Sequence, residues 1–147
     1  MLALLPPEKV EIFCRRIDAL TPDAEARFGK MNPHQMLCHC ADLLRVALGR
    51  MKGRNYGERS PAEVLAFIKA GQTVPTPDGF DQVAGDGTPP TEFEADRTML
   101  QQLLQTFAEL PADYDYPPHP YWGKMNREEW IKAVKQHTNH HLKQFGV

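Results

Sequence analysis

Three of the chain's six histidines lie within five residues, in the stretch QHTNHHLKQFGV. They are His137, His140 and His141. His137 and His141 are four residues apart, a spacing that places two side chains one above the other on the same face of an α-helix. Helices of HExxH sites present two metal ligands at this spacing, but Thr138 stands where such a site has its glutamate. The pattern alone is therefore a weak indication of a metal site.

The apolar residues of the same segment indicate which histidines point inward. One stripe of a predicted helix over Arg127–Gln144 contains Trp130, Ile131, Val134, Leu142 and Phe145. Successive helical residues step by about 100° around the axis, so His137 and His141 fall within or beside this stripe. His140 lies roughly 60° to 100° away from them, toward the edge. Inward imidazoles need partners, because an unpaired buried polar group is costly.

A third candidate ligand, His39, lies in the middle of MLCHCADLL. Its position at the edge of an apolar helix face lets the side chain reach into a cleft between helices. The flanking Cys38 and Cys40 cannot join it on one ion, because they point about 160° apart on a helix. We expect Cys40 to be a core cysteine and Cys38 to be exposed or packed under a loop.

Further polar residues have competing interpretations. His34 lies in the first turn of its helix, where we predict a solvent-exposed or capping role. His119, in the loop PPHPYWG, is either a pocket residue or a solvated loop histidine, and the second interpretation is favoured. Tyr121 and Trp122 are candidates for substrate contact or for plain packing. Asp42 is either a hydrogen-bond partner of a histidine or a solvated charge.

Helices must position these residues, since apolar residues recur every three or four positions and no alternating strand pattern persists. The predicted helices span Pro7–Leu20, Pro33–Leu48, Pro61–Ala70, a segment from Thr91 to Pro111, and Arg127–Gln144. Predicted capping boxes begin them at Asn32 with Gln35, Ser60 with Glu63, Thr91 with Glu94, and Asn126 with Glu129. The Gly- and Pro-rich stretch Gln72–Pro90 is predicted to be a long loop. The expected fold is an all-α bundle.

Length and composition are those of one soluble globular domain. The chain has 147 residues, 41% of them hydrophobic and 24% charged, with a formal net charge of -2. Without a basic run, we expect no nucleic-acid partner. The apolar start MLALL is too short for a signal peptide or a membrane span. An odd number of cysteines, three, fits a reducing compartment, and we expect a cytoplasmic protein.

With these motifs in place, the chain resembles the DinB-like superfamily over nearly its whole length. This group includes predicted metalloenzymes and metal-dependent thiol transferases that use mycothiol or bacillithiol. The chain looks most like a short-chain branch of unknown function. The motifs that carry the resemblance are GKMN (29–32), QMLCH (35–39), HPYWG (119–123) and HTNHHLKQFG (137–146).

The resemblance implies a DinB-like four-helix bundle, here with one extra short helix and a long loop. It also implies a three-histidine metal site, which the match places at His39, His137 and His141. Because DinB-like bundles often dimerise, we expect a homodimer.

Such a site would leave at least one coordination position open, as catalytic metals do. Zinc or nickel suits imidazole ligands, and iron or manganese is also compatible. A bound water or the thiolate of a cosubstrate could then react, with His140 either assisting proton transfer or simply solvated. We therefore hypothesise a metal-dependent hydrolase or thiol transferase acting on a small molecule. The alternative is a non-catalytic bundle with a vestigial histidine site, acting through self-association or a protein partner.

Overall fold

The chain forms five helices and no sheet within the residues that the computed structural model describes, 5–52, 61–72, 76 and 79–147. The helices are α1 (Pro7–Asp18), α2 (Pro33–Ala47), α3 (Pro61–Lys69), α4 (Phe93–Ala108) and α5 (Arg127–Gln144). The all-α prediction is confirmed, and the predicted helix ends differ from these bounds by one turn or less. None of the described helices is long and apolar enough to cross a membrane.

Four of the helices form the bundle. α1 and α2 each pack against both α4 and α5. Within the described residues α3 packs against none of these four helices. The expected four-helix bundle with one extra short helix is therefore confirmed. The interface between α2 and α5 is the one that brings the histidines together.

α2 is the most enclosed helix of the bundle, because α4 and α5 pack on two of its sides and the segment before α4 covers another. Its buried residues extend around most of the helix and include Cys38, Cys40 and Asp42. Cys40 lies in the core as predicted. The prediction for Cys38 is wrong in part: it is fully buried, and burial together with Asp96 of α4 raises the pKa of its thiol to about 12.

Capping residues start the two helices that supply the site. The side chain of Asn32 accepts from the backbone N–H of Gln35, and the Gln35 side chain accepts from the backbone of Asn32. Asn126 and Glu129 form the same capping box at the start of α5. Both predictions are confirmed. These reciprocal bonds satisfy backbone donors that a helix start otherwise leaves unpaired.

The capping box predicted at the start of α4, between Thr91 and Glu94, is not formed, so this prediction is wrong. Glu92 is the N-cap, and its carboxylate accepts from the backbone N–H of Glu94 and of Ala95. The backbone N–H and hydroxyl of Thr91 instead donate to the carboxylate of Asp96, while the Glu94 carboxylate accepts from Arg97. The box predicted at Ser60 lies outside the described residues.

A buried polar cluster fastens the segment before α4 to α2. The carboxylate of Asp42 is fully buried and accepts from the backbone N–H of Thr88 at 3.0 Å and from its hydroxyl at 2.6 Å. Arg45 donates to the same carboxylate at 2.8 Å. Nε2 of Gln82 donates to the carbonyl of Thr88 at 2.9 Å. Asp42 is thus neither a solvated charge nor a partner of a histidine, but an anchor for this loop.

Candidate metal centre

The α2–α5 interface brings three histidines together. His39 of α2 and His137 and His141 of α5 each offer a ring nitrogen, and these nitrogens lie within 4.8 Å of one another. Their ring centroids are 4.6 to 4.8 Å apart. His140 is exposed. Its ring packs between those of His141, at 4.9 Å, and Phe28, at 5.3 Å, so it lies beside the cluster and not in it.

The ring of His39 is oriented by a backbone carbonyl from the loop before α4. Nδ1 of His39 lies 3.1 Å from the carbonyl oxygen of Phe80. A carbonyl can only accept, so Nδ1 carries the proton, and Nε2 of the neutral ring keeps a free lone pair. Metal-binding histidines are typically held in this way, with the second nitrogen donating to a carbonyl or carboxylate.

The ring of His141 is oriented by a side chain of its own helix. Nδ1 of His141 lies 3.0 Å from Oε1 of Gln144. The amide of Gln144 has a defined direction, because its Nε2 donates to the carbonyl of Phe28 at 2.7 Å. Oε1 must therefore accept from His141, which leaves the Nε2 lone pair of that ring free.

His137 differs from the other two. Its Nε2 lies 3.1 Å from Nε2 of His39. Since Nε2 of His39 carries a lone pair, Nε2–H of His137 donates to it when no metal intervenes. The other nitrogen, Nδ1 of His137, is buried and has no hydrogen-bond partner among the described residues.

All three rings are held neutral. Burial lowers the pKa of His39, although the hydrogen bond to Phe80 opposes the shift. Burial, followed by the neighbouring His39 and His141, lowers the pKa of His137 well below its ordinary value. Burial and then His39 lower the pKa of His141 to about 3. Neutral imidazole is the form that binds metals, so protons compete little for this site near neutral pH.

These observations fit a divalent metal. Two imidazole nitrogens on one zinc ion, each at about 2.0–2.1 Å, stand roughly 3.0–3.4 Å apart. The 3.1 Å between the Nε2 atoms of His39 and His137 falls in that range. Two of the three rings have an acceptor for the proton on Nδ1, and His137 has none among the described residues. The His39–His137 pair thus has the spacing of two ligands of one ion, the candidate nitrogen of His141 lies within 4.8 Å of both, and His137 alone lacks a partner for its second nitrogen in the described part of the chain.

His119 is buried, and the favoured interpretation of a solvated loop histidine is wrong. Its Nδ1 accepts from the backbone N–H of Tyr121 at 3.0 Å and of Trp122 at 3.3 Å. Its ring packs 5.1 Å from that of Trp130, and burial lowers its pKa to about 4. It is a neutral imidazole with its proton on Nε2. Tyr121 and Trp122 are half-buried beside it, and Trp122 packs against the core.

His34 neither caps its helix nor stands free in solvent. Its Nε2 lies 2.6 Å from a carboxylate oxygen of Asp96, which joins α2 to α4. It belongs to a structural contact away from the three histidines. A groove of about 410 Å³ on the α4 side of the bundle also lies apart from them, and Met99, Gln102, Gln105 and Thr106 are among its lining residues.

Of the two groups that orient the histidines, Gln144 and the carbonyl of Phe80, only the first could be predicted from the sequence. Gln144 is three residues after His141 on one helix face, so the spacing was a usable signal. The carbonyl of Phe80 had no such signal, because backbone atoms carry no residue identity and 41 residues separate it from His39.

Comparison with models of known families shows which family the chain belongs to. The family model of the DinB superfamily matches residues 8–145. The chain belongs to the DinB superfamily. The match includes α2 to α5 and all of α1 except Pro7, and so contains both helices of the three-histidine cluster. No curated protein and no solved structure matches this DinB chain.

Proposed function

We propose that this DinB protein is a metal-dependent enzyme whose divalent ion is bound by His39, His137 and His141. The observation that carries the proposal is the convergence of three neutral imidazoles, with candidate ligand nitrogens within 4.8 Å of one another. Zinc or nickel is the proposed ion, because imidazole suits both. Three protein ligands leave a position open for a small molecule, which is typical of catalytic and not of structural sites.

The proposed reaction is hydrolysis or thiol transfer on a small molecule. When bound, the metal would supply a Lewis acid that lowers the pKa of a water or a thiol at the open position. The residues of the site would bind the ion and orient the imidazole rings that hold it. His39 and His141 present lone pairs because Phe80 and Gln144 hold their protons on the opposite nitrogens. The exposed His140 beside His141 is the candidate for moving a proton to and from solvent.

A low-molecular-weight thiol is the proposed cosubstrate, and a cytoplasmic homodimer the proposed working form, by analogy with the superfamily. The carboxylates that the structure describes near the cluster do not favour a general base. Asp42 is already bonded to Thr88 and Arg45, and one oxygen of Asp81 accepts from the backbone N–H groups of Val83 and Ala84. Activation of the nucleophile is therefore assigned to the metal.

The contact between His137 and His39 favours a second candidate function, that of a non-catalytic bundle. The bond from His137 to His39 across 3.1 Å holds the two helices together without an ion. A histidine pair that joins two helices in this way could serve a non-catalytic bundle acting through self-association or a protein partner.

Elemental analysis of untagged protein, purified without chelators, separates the two functions. His39→Ala is the test variant and the exposed His140→Ala its matched control, with circular dichroism to verify that both fold. About one zinc or nickel per chain in the wild type and in His140→Ala, lost in His39→Ala, would support the enzyme. A wild type that binds neither ion even after reconstitution would refute it and direct the search to binding partners.

A further inference from the structure

The amide of Gln144 is enclosed on several sides. The residue is 4% exposed although its side chain is polar. Its Nε2 donates to the carbonyl of Phe28 and its Oε1 accepts from Nδ1 of His141. Its backbone carbonyl accepts from the N–H of Arg27 at 2.7 Å. The end of α5 is thus joined at two points to the segment that precedes α2.

Gly29 makes room for this amide. A Cβ atom built at Gly29 would overlap Nε2 of Gln144 and lie 3.4 Å from its Cδ. Gly29 also has a φ of +79°, a conformation that residues with a Cβ rarely adopt. The same backbone turn presents the carbonyl of Phe28 to the amide. Gly29 therefore leaves the space that the Gln144 side chain occupies, and its turn places the carbonyl of Phe28 where the amide can donate to it.

The direction of the Gln144 amide decides which nitrogen of His141 carries the lone pair. With Oε1 toward the ring, the proton lies on Nδ1 and the lone pair on Nε2. A side chain without an acceptor at this place would leave the neutral ring free to exchange its tautomers and to rotate. The lone pair would then point toward the cluster for only part of the time.

We propose that Gln144, seated against Gly29, is a positioning residue that holds His141 with its Nε2 lone pair directed at the candidate metal centre. The inference rests on the proposed function for its metal-binding consequence, but the orientation of His141 holds in the metal-free protein as well. Partners of this kind typically change metal affinity by 10- to 100-fold when they are removed.

The test compares four variants with the wild type by zinc titration against a chromophoric competitor. Gln144→Met removes the amide at similar size, and Gly29→Ala displaces it. Gln101→Met is the control for a lost long-range amide contact, since Gln101 joins α4 to α1 through Cys14 and Asp18. Gly49→Ala is the control for backbone strain, since Gly49 has a φ of +73° and no atom within 4 Å of its Cβ position.

We expect zinc affinity to fall about 10- to 100-fold in Gln144→Met and in Gly29→Ala and to be unchanged in the controls. Long-range ¹H–¹⁵N spectra of the metal-free proteins give the second readout. The wild type should show His141 with its proton on Nδ1, and both test variants should lose this preference. If Gln144→Met fails to fold, Gly29→Ala carries the test.

Two results would overturn the proposal: a wild-type tautomer and affinity retained in the test variants, or an equal loss of affinity in the controls. A wild type that binds no zinc would refute the proposed function but not the orientation of His141, because the tautomer is measured without metal. The two failures are therefore distinguishable.

Discussion

Nε2 of His137 and Nε2 of His39 face each other across 3.1 Å at the centre of the α2–α5 interface. In the metal-free protein the first donates to the second. An ion bound by both rings would replace this hydrogen bond and force the proton of His137 onto Nδ1, which is buried and without a partner among the described residues. Leaving a buried donor unpaired costs about 1–3 kcal/mol. Among the residues that the structure describes, Nδ1 of His137 has no partner in either state, as an acceptor without the ion and as a donor with it, so this ring lacks the outer hydrogen bond that His39 and His141 have.

We predict that zinc moves the imidazole proton of His137 from Nε2 to Nδ1. His39 and His141 should keep theirs on Nδ1, because Phe80 and Gln144 accept from it in either state. Long-range ¹H–¹⁵N spectra recorded near neutral pH with and without zinc distinguish the two tautomers. Finding the proton of His137 on Nδ1 before zinc is added would contradict the assignment.

The second prediction concerns which histidines bind the ion. His137→Ala and His141→Ala should each abolish stoichiometric zinc binding, because two imidazoles alone hold zinc weakly. His140→Ala and His34→Ala should retain it, since one ring is exposed and the other is bonded to Asp96. Zinc content after gel filtration measures the outcome. Equal losses in all four variants would rule out the assignment of ligands.

Helical geometry explains how much of this site could be predicted. The wheel positions of His137, His140 and His141 follow from the periodicity of one helix, and the structure has His140 alone exposed. The caps at Asn32 and Asn126 were predictable for the same reason, since each depends on residues three positions apart. Local spacing determines contacts of this kind.

The burial of Cys38 and of His119, which was predicted wrongly, depends on segments beyond their own helix or loop. Cys38 is buried because α4 packs beside it, and His119 because its loop folds over Trp130. The bond from Gln144 to Phe28 spans 116 residues. Periodicity describes a side chain relative to its own helix axis, but not which loop or carbonyl will cover it.

The third prediction is that His119 makes the free energy of unfolding depend on pH. Its pKa is about 4 in the folded chain and about 6.5 when unfolded. Unfolding therefore takes up a proton between these values, so stability is full above pH 6.5 and falls as the pH drops toward 4. The loss reaches on the order of 3 kcal/mol by pH 4.

His119→Asn tests this, because Asn keeps an acceptor for the N–H groups of Tyr121 and Trp122 but does not titrate. Urea unfolding near pH 7 and near pH 4.5 should show a smaller acid-induced loss in the variant, by roughly 2 kcal/mol. The other histidines are present in both proteins, so most of their contribution cancels; the part of the His137 pKa shift that comes from His119 does not. The same loss in both proteins would show that His119 is not protonated on unfolding.

The last prediction links the loop before α4 to the metal centre. A Cβ atom at Gly87, which has a φ of +79°, would lie 2.7 Å from Oδ2 of Asp42 and 2.7 Å from Nε2 of Gln82. Gly87→Ala should therefore break the anchors that hold Thr88 on α2. The carbonyl of Phe80 belongs to the same segment and orients His39, so zinc affinity should fall together with stability.

Gly85→Ala is the matched control, because Gly85 lies in the same loop with a φ of +87° and no atom within 4 Å of its Cβ position. Both variants should lose about 1–2 kcal/mol to left-handed backbone strain. Gly87→Ala should lose about 1–3 kcal/mol more, because the buried carboxylate of Asp42 is left short of donors. Urea unfolding and zinc titration measure the two effects. Weaker zinc binding in Gly87→Ala alone would trace the orientation of His39 to the loop anchor, whereas equal binding in both variants would show that Phe80 holds its place without it.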